Sequence, residues 1–215
     1  METPKLDPRV LRTRKLIQDA FILCMKNKDF SDITVKDITA KATVNRATFY
    51  AHFTDKYQLM DHTLTDVLWE NLKKQLQCHD GFNRDTLLKI IVIMCTFHEE
   101  VSGHFKRNYG SLGPHIESRI NEALEEFFLS MIRRSPGPLG SAPGAPGASD
   151  PADVTGTEKD KLVATLLSRS IYGMSHAWNK EGRRTSREEF ASLAILALEE
   201  VGGLFAAPSP PDPPR

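Results

Sequence analysis

Residues 33–59 read ITVKDITAKATVNRATFYAHFTDKYQL, and this stretch decides the fold. Thr34 with Asp37 three residues on is a capping-box variant, so a short helix starts there, with Val35, Ile38 and Ala42 along one face. Asn45 is a second N-cap, and Phe49 and Phe53 recur behind it at i, i+4. Thr54 is a third candidate cap, opening a long amphipathic helix over 57–77 through Leu64, Val67, Leu68, Leu72 and Leu76. Two short capped helices separated by Ala42-Thr43-Val44 have the spacing of a helix-turn-helix; an ordinary helical hairpin has the same spacing.

Residue chemistry favours the first reading. A recognition helix presents its N-terminal residues to base edges, and here those are Asn45, Arg46 and Ala47. Arginine takes guanine bidentately, asparagine reads adenine or a phosphate, and alanine meets a thymine methyl. Thr48, Tyr50 and His52 add polar groups at phosphate distance, although Tyr50 also suits a core aromatic with a wet hydroxyl. Lys56 lies in the first turn of the long helix, where the macrodipole disfavours a cation by a few tenths of a kcal/mol. A lysine beside free N–H groups there would grip a phosphate; a solvated lysine balanced by Asp55 is the other reading.

Outward from this stretch the chain is helical throughout. Ile17, Ala20, Phe21 and Cys24 mark a helix over 8–27, with Pro8 suited to its first turn. Asp80-Gly81 breaks the chain; helical patterns cover 84–100 and 115–133, with an irregular 102–114 between them. Residues 135–157, rich in Pro, Gly, Ala and Ser, read as a flexible loop, and 207–215 as a disordered proline-rich tail. Helices over 158–180 and 186–205 complete the chain, and no run alternates with period two over strand length.

Composition narrows the class. The 215 residues carry 28 Lys+Arg against 28 Asp+Glu, a formal net charge of zero. Divided at Met60, that becomes 11 basic against 7 acidic residues (+4) and then 17 against 21 (−4). Neutrality therefore averages a modestly basic first part and an acidic remainder. Cys24, Cys78 and Cys95 form neither a disulfide framework nor a zinc pattern. His98-Glu99-Glu100 opens like a zincin motif, but Ser102 stands where the second histidine is needed, so no metal site is expected. The N-terminal run METPKLDPRVLRTRKL has no apolar core, and Leu87 to Cys95 is too short to span a bilayer, so a soluble cytoplasmic protein without membrane partners is expected. No paired catalytic carboxylates, nucleophile–base spacing or Gly-rich phosphate loop is present, so neither an enzyme nor a cofactor is expected.

The run Thr48-Phe49-Tyr50-Ala51-His52-Phe53-Thr54-Asp55-Lys56-Tyr57-Gln58-Leu59 resembles the segment Thr-(Leu/Ile/Phe)-Tyr-x-(His/Tyr)-Phe-x-x-Lys-x-x-Leu of the TetR (tetracycline-repressor) family of bacterial transcription regulators. The preceding ITVKDITAKATVNRAT is similar to that family's short helix and turn, and the resemblance covers residues 9–60. It implies an all-α fold: an N-terminal three-helix helix-turn-helix DNA-binding domain over 1–56, then a helical dimerisation and candidate ligand-binding body over 57–206. It further implies phosphate contacts by Thr34, Thr48, Tyr50 and Lys56, base-edge contacts by Asn45, Arg46 and Ala47, and His52 at the groove wall. Arg12 and Arg14 fit phosphate or minor groove as well as they fit solvated helix charges. Thr43 departs from the family's usual turn glycine; a β-branched residue avoids φ > 0, so a different turn backbone is expected there.

In the family the last two long helices form a four-helix dimer interface, and the two C-terminal helices here look like that pair. Leu166, Ser170, Gly173, Ala177, Trp178, Phe190, Leu193, Ala194, Ala197 and Val201 are the candidate dimer residues. Trp178 and Gly182 sit in a G-x-x-x-x-W-x-x-x-G pattern found in one group of these regulators, Gly182 fitting a left-handed helix cap. Met94, Phe97, His98, Phe105, Tyr109, Phe127 and Met131 are candidates to line a cavity for a small amphipathic ligand; they also suit a plain core. The function expected is a homodimeric repressor that binds a pseudo-palindromic operator in double-stranded DNA and is released by a small molecule. The alternative is a helical protein-interaction module with a degenerate DNA-binding head.

Overall fold

The computed structural model describes residues 7–76, 81–106, 108–134 and 151–204. Among these, the regular structure is eight α-helices and a 3-10 turn at Phe30–Asp32, with no strand. The helices are α1 (Pro8–Met25), α2 (Val35–Ala42), α3 (Arg46–Tyr50), α4 (Lys56–Gln75), α5 (Arg84–His104), α6 (Tyr109–Arg134), α7 (Pro151–Lys180) and α8 (Arg187–Leu204).

Local chemistry sets the helix starts. Asp7 accepts the Arg9 N–H at 2.8 Å, and Pro8 follows where its missing donor costs nothing. At Thr34 the capping box is complete: its hydroxyl oxygen accepts the Asp37 N–H, and the Asp37 carboxylate accepts the Thr34 N–H at 2.9 Å. Lys28, 2.9 Å away, and then Thr34 hold the Asp37 carboxyl well below the usual carboxylate range. The α4 cap is Asp55, not the expected Thr54. Its carboxylate accepts the Tyr57 and Gln58 N–H groups, both at 2.8 Å, while Gln58 reaches back to accept the Thr54 N–H at 2.7 Å. A carboxylate is the better partner for the positive end of the helix.

Packing joins the N-terminal helices to the rest through one core. Phe21 of α1 lies edge-on to Phe30 at 6.2 Å and against Phe105, which ends α5, at 6.4 Å. Each fully buried phenylalanine contributes roughly 2–3 kcal/mol. Helix α4 runs from this junction into the body, held on two sides. Gln18 of α1 donates to Asp66 at 2.6 Å, and Asp61 meets His115 (2.5 Å) and Arg119 (3.7 Å) of α6. Beyond it, α6 packs along α7, and α5 packs against α7 and α8.

Two expected boundaries move. The irregular 102–114 stretch instead holds the end of α5 and the first turns of α6, including Gly110, Gly113 and Pro114. Tertiary packing overrides their poor helix propensity, and Asn108 starts the helix by accepting the Leu112 N–H at 2.9 Å. At the other end, 151–157 continues α7 rather than the loop, because Pro151 is pre-organised for a first helical position. The rest of the expected loop, 135–150, and the tail, 207–215, lie outside the described residues.

Candidate nucleic-acid interface

The turn between α2 and α3 corrects one expectation. Thr43 is left-handed (φ 56°, ψ 41°) despite its branched side chain, so the chain keeps the backbone a glycine would give. The Thr43 and Val44 N–H groups both donate to the Thr39 carbonyl, which closes the end of α2. A non-glycine residue there costs about 1–2 kcal/mol.

This turn aims α3. Phe49 and Phe53 are buried beneath it, 5.9 Å apart, with Tyr50 edge-on to Phe49 at 5.4 Å. Seating those rings leaves Asn45, Arg46, Ala47 and Tyr50 exposed along the outer edge. Arg46 is exposed and has no partner among the described residues, so its guanidinium is open to bidentate contacts.

Two of the expected contacts change character. The Asn45 amide oxygen accepts both the Thr48 N–H (2.7 Å) and the Thr48 hydroxyl (2.9 Å). As the cap of α3, Asn45 keeps only its NH2 for DNA, which excludes bidentate adenine readout in this geometry. Thr48 in turn gives its hydroxyl proton to Asn45, so in this rotamer it has none for a phosphate.

Lys56 differs most from expectation. Its ammonium donates to three backbone carbonyls, Phe30 at 2.7 Å, Ser31 at 3.0 Å and Ile33 at 3.0 Å. It also lies 4.7 Å above the Phe30 ring. An ammonium has three donors, so none is left for a phosphate. The cation that the helix dipole disfavours is held by carbonyl dipoles from the 3-10 turn and the residue after it.

Thr34 is exposed but shares its hydroxyl with Asp37 (2.7 Å). His52 is half-buried, and burial followed by the Arg14 charge lowers its pKa, which favours the neutral ring. Arg14 packs over Phe53, 5.0 Å from the ring centre, which brings its charge to the α3 side of the fold; Arg12 is exposed. Lys36 and Lys41 of α2 were not singled out by sequence reasoning. Both are exposed and neither makes an ion pair among the described residues, and their signal was an unbalanced basic face on a helix preceding the turn.

Residues 22–63 match the family model described as bacterial regulatory proteins, tetR family. Over that segment the chain is similar to the TetR family. An uncharacterized HTH-type transcriptional regulator, YxbF of Bacillus subtilis (strain 168), is 30% identical over 131 residues, covering 58% of this chain. The match spans only 34% of that relative's length. A TetR transcriptional regulator from Streptococcus agalactiae 2603V has the same fold at 20% identity, with a TM-score of 0.54 over 88% of this chain and 95% of that one. A tetR-family regulator from Streptomyces coelicolor also reaches 0.54, at 16% identity, over 91% of this chain and 84% of that one. The likeness to these two solved structures shows a shared all-α fold.

The helical body sorts the remaining candidates. Met94, Phe97, His98, Phe105 and Met131 are buried in the shared core, and Phe127 packs edge-on to Trp69 at 5.8 Å. Tyr109 alone of the seven lines a cleft of about 450 Å³ at the α5 end of the body, together with Tyr172, His176 and Asn179. Its hydroxyl shares a hydrogen bond with His98 Nδ1 at 3.2 Å. Burial, and then the nearby His176, push the His98 pKa down to about 3.

The dimer candidates divide by exposure. Trp178 and Ala194 are buried within the chain; Trp178 donates to the Thr185 carbonyl at 3.2 Å and packs on the half-buried Phe190 at 5.7 Å. These residues close the α7–α8 turn, where Gly182 (φ 88°) and Arg183 (φ 56°) are both left-handed. Ser170 is half-buried. Leu166 (67% exposed), Leu193 (55%) and Val201 (54%) face outward beside Gly173, Ala177 and Ala197. Leu162 and Leu196 extend that apolar surface.

Among the described residues no helix is long and apolar enough to cross a membrane, and no group of three His, Cys, Asp or Glu side chains is placed to hold a metal ion.

Proposed function

We propose that this protein is a cytoplasmic, homodimeric repressor that binds a pseudo-palindromic operator and is released by a small amphipathic ligand. Residues 1–56 form the reading head and 57–206 the regulatory body. The observation that carries this reading is the pairing of two exposed surfaces, the Arg46–Tyr50 edge of α3 and the apolar face shared by α7 and α8. Leucines exposed by half or more on two adjacent helices are unfavourable in water, and a second copy applied through a two-fold axis buries them. That symmetry sets two recognition helices against half-sites about 34–36 Å apart.

In the head, Arg46 and Ala47 read bases, and Asn45 donates through its NH2. Tyr50 together with Lys36 and Lys41 holds phosphates in place of Lys56, with Thr34 and Thr48 donating to phosphate once their hydroxyls rotate away from Asp37 and Asn45. The cleft beside Tyr109 receives the ligand. Selection of bound sequences from random DNA tests the whole reading. It is expected to return inverted half-sites, and Arg46→Ala is expected to lose preference at one base pair per half-site, a discrimination of about 1–3 kcal/mol. Recovery of no enriched sequence would favour the protein-interaction alternative.

A further inference from the structure

Asn108 lies at the N-cap position of α6, where an asparagine side chain ordinarily accepts the N–H groups of its own helix. It does not do so here. Its backbone carbonyl accepts the Leu112 N–H, but its side chain points away from α6 and is 2% exposed. The amide oxygen accepts the Phe30 N–H at 2.6 Å, while the NH2 donates to the Lys28 carbonyl at 3.1 Å and the Met25 carbonyl at 3.4 Å. All of its buried side-chain hydrogen bonds reach residues about eighty positions away, at the end of α1 and the start of the 3-10 turn. Phe30 is thus held twice, its N–H by Asn108 and its carbonyl by Lys56. Four residues beyond it is Thr34, the cap of α2.

The next residue faces the other way. Tyr109 lines the cleft, followed in the same wall by Gly110, Gly113 and Pro114. This first part of α6 is also weakly built. Pro114 cannot donate to the Gly110 carbonyl, and two glycines lower the cost of a backbone shift. One short, yielding segment therefore carries a cleft wall on one side and the anchor of the α1–α2 connection on the other.

We propose that Asn108 is the positioning residue through which occupancy of the Tyr109 cleft changes the seating of the reading head. This rests on the cleft being the ligand site of the proposed function. A group filling the cleft displaces the start of α6, the Asn108 amide leaves Phe30, and the segment leading to Thr34 loses one of its two holds. Arg46 and its neighbours then no longer stand in register with their half-site.

The test needs no identified ligand, because the cleft can be filled from within. A Cβ built on Gly113 meets nothing within 4 Å, so Gly113→Leu places an isobutyl group in the cleft without a backbone clash, with Gly113→Ala as the small control. Amide exchange at the Phe30 N–H and affinity for the selected operator are the two readouts. Gly113→Leu is expected to speed Phe30 exchange at least tenfold and weaken operator binding at least tenfold, and Gly113→Ala to change each less than threefold. In an Asn108→Ala background, where the bond is already absent, Gly113→Leu is expected to change either readout less than twofold further. Where Asn108→Ala does not fold cooperatively, Asn108→Ser carries the same expectation, its hydroxyl being too short to span the gap.

Phe30 exchange unaffected by Gly113→Leu, or effects of the two substitutions that simply multiply, would overturn the proposal. Coupled exchange in a chain that selects no DNA sequence would support the Asn108 connection while overturning the function assigned to the head.

Discussion

Replacing Lys56 by methionine keeps the length and most of the apolar stem of the side chain while removing the ammonium. Three carbonyls then lose their donor, at 2.7, 3.0 and 3.0 Å. A hydrogen bond to a charged group is worth about 1.5–3 kcal/mol when both partners are shielded. The bond to Ser31 is exposed, and water replaces it at little cost. The bonds to Phe30 and Ile33 are partly buried, so each falls at the low end of that range. Adding about 0.5–1 kcal/mol for the cation over the Phe30 ring, the expected loss is about 3–4 kcal/mol. For a chain of this size that lowers Tm by roughly 6–16 °C. Urea titration of wild type and Lys56→Met measures the loss directly. Binding to the selected operator as a function of salt then separates the two roles a lysine can play. A phosphate contact contributes about one unit to the slope of log K against log salt, and Lys56→Met is expected to leave the slope unchanged, whereas Lys36→Ala and Lys41→Ala each flatten it. A stable Lys56→Met protein with a salt slope reduced by about one would refute the carbonyl-cage assignment and return Lys56 to the phosphate backbone.

Thr43→Gly relieves the left-handed strain at the turn but adds unfolded-state entropy, so a net gain of roughly 0.5–1 kcal/mol is expected by urea titration, with operator affinity retained; a loss of stability would contradict the backbone described. His98 is neutral in the folded protein because its pKa is pushed down to about 3, while in the unfolded chain it titrates near 6.5. The unfolded state therefore binds the extra proton, and stability falls as pH drops below about 6.5, by up to about 1.4 kcal/mol per pH unit; the decline is to be compared with that of His98→Phe, and parallel curves would exclude the effect. Leu166→Glu and Leu193→Glu put charges on the exposed face of α7 and α8, and sedimentation is expected to show folded monomers in place of dimers with operator affinity reduced at least a hundredfold; dimers of undiminished affinity would place the interface elsewhere.

What could be read from the sequence followed from the range of the interactions. The caps at Thr34 and Asn45 were legible because each side chain bonds within three residues of itself, and the buried pair Phe49 and Phe53 because helical spacing announces it. The destination of Lys56 was hidden, since its three acceptors lie 23–26 residues back and are backbone atoms with no residue signature. Asn108 was hidden for the same reason at longer range. Periodicity distinguishes an apolar face from a polar one but not a cavity wall from a packed core, so Met94, Phe97 and Met131 were indistinguishable from Tyr109 as candidates. Trp178 matched a motif, yet its indole turned inward to the Thr185 carbonyl, which only the α7–α8 turn supplies. Thr43 shows the opposite case: the residue argued against the left-handed turn, and the surrounding packing imposed it.

The attachments of α4 have a mechanical consequence. The helix is gripped at Asp61 by α6 and at Asp66 by α1, so any rigid rocking of α4 would turn about a point near residue 63. At 1.5 Å per residue, Gln75 stands about 18 Å to one side and Lys56 about 10 Å to the other. In such a rocking a lateral push at the far end would arrive at Lys56 reversed in direction and reduced to a little over half its size. The 3-10 turn that Lys56 holds would travel with it, so such a rocking of a few ångströms at Gln75 would reach the N-terminal helices geared down and with its sign inverted.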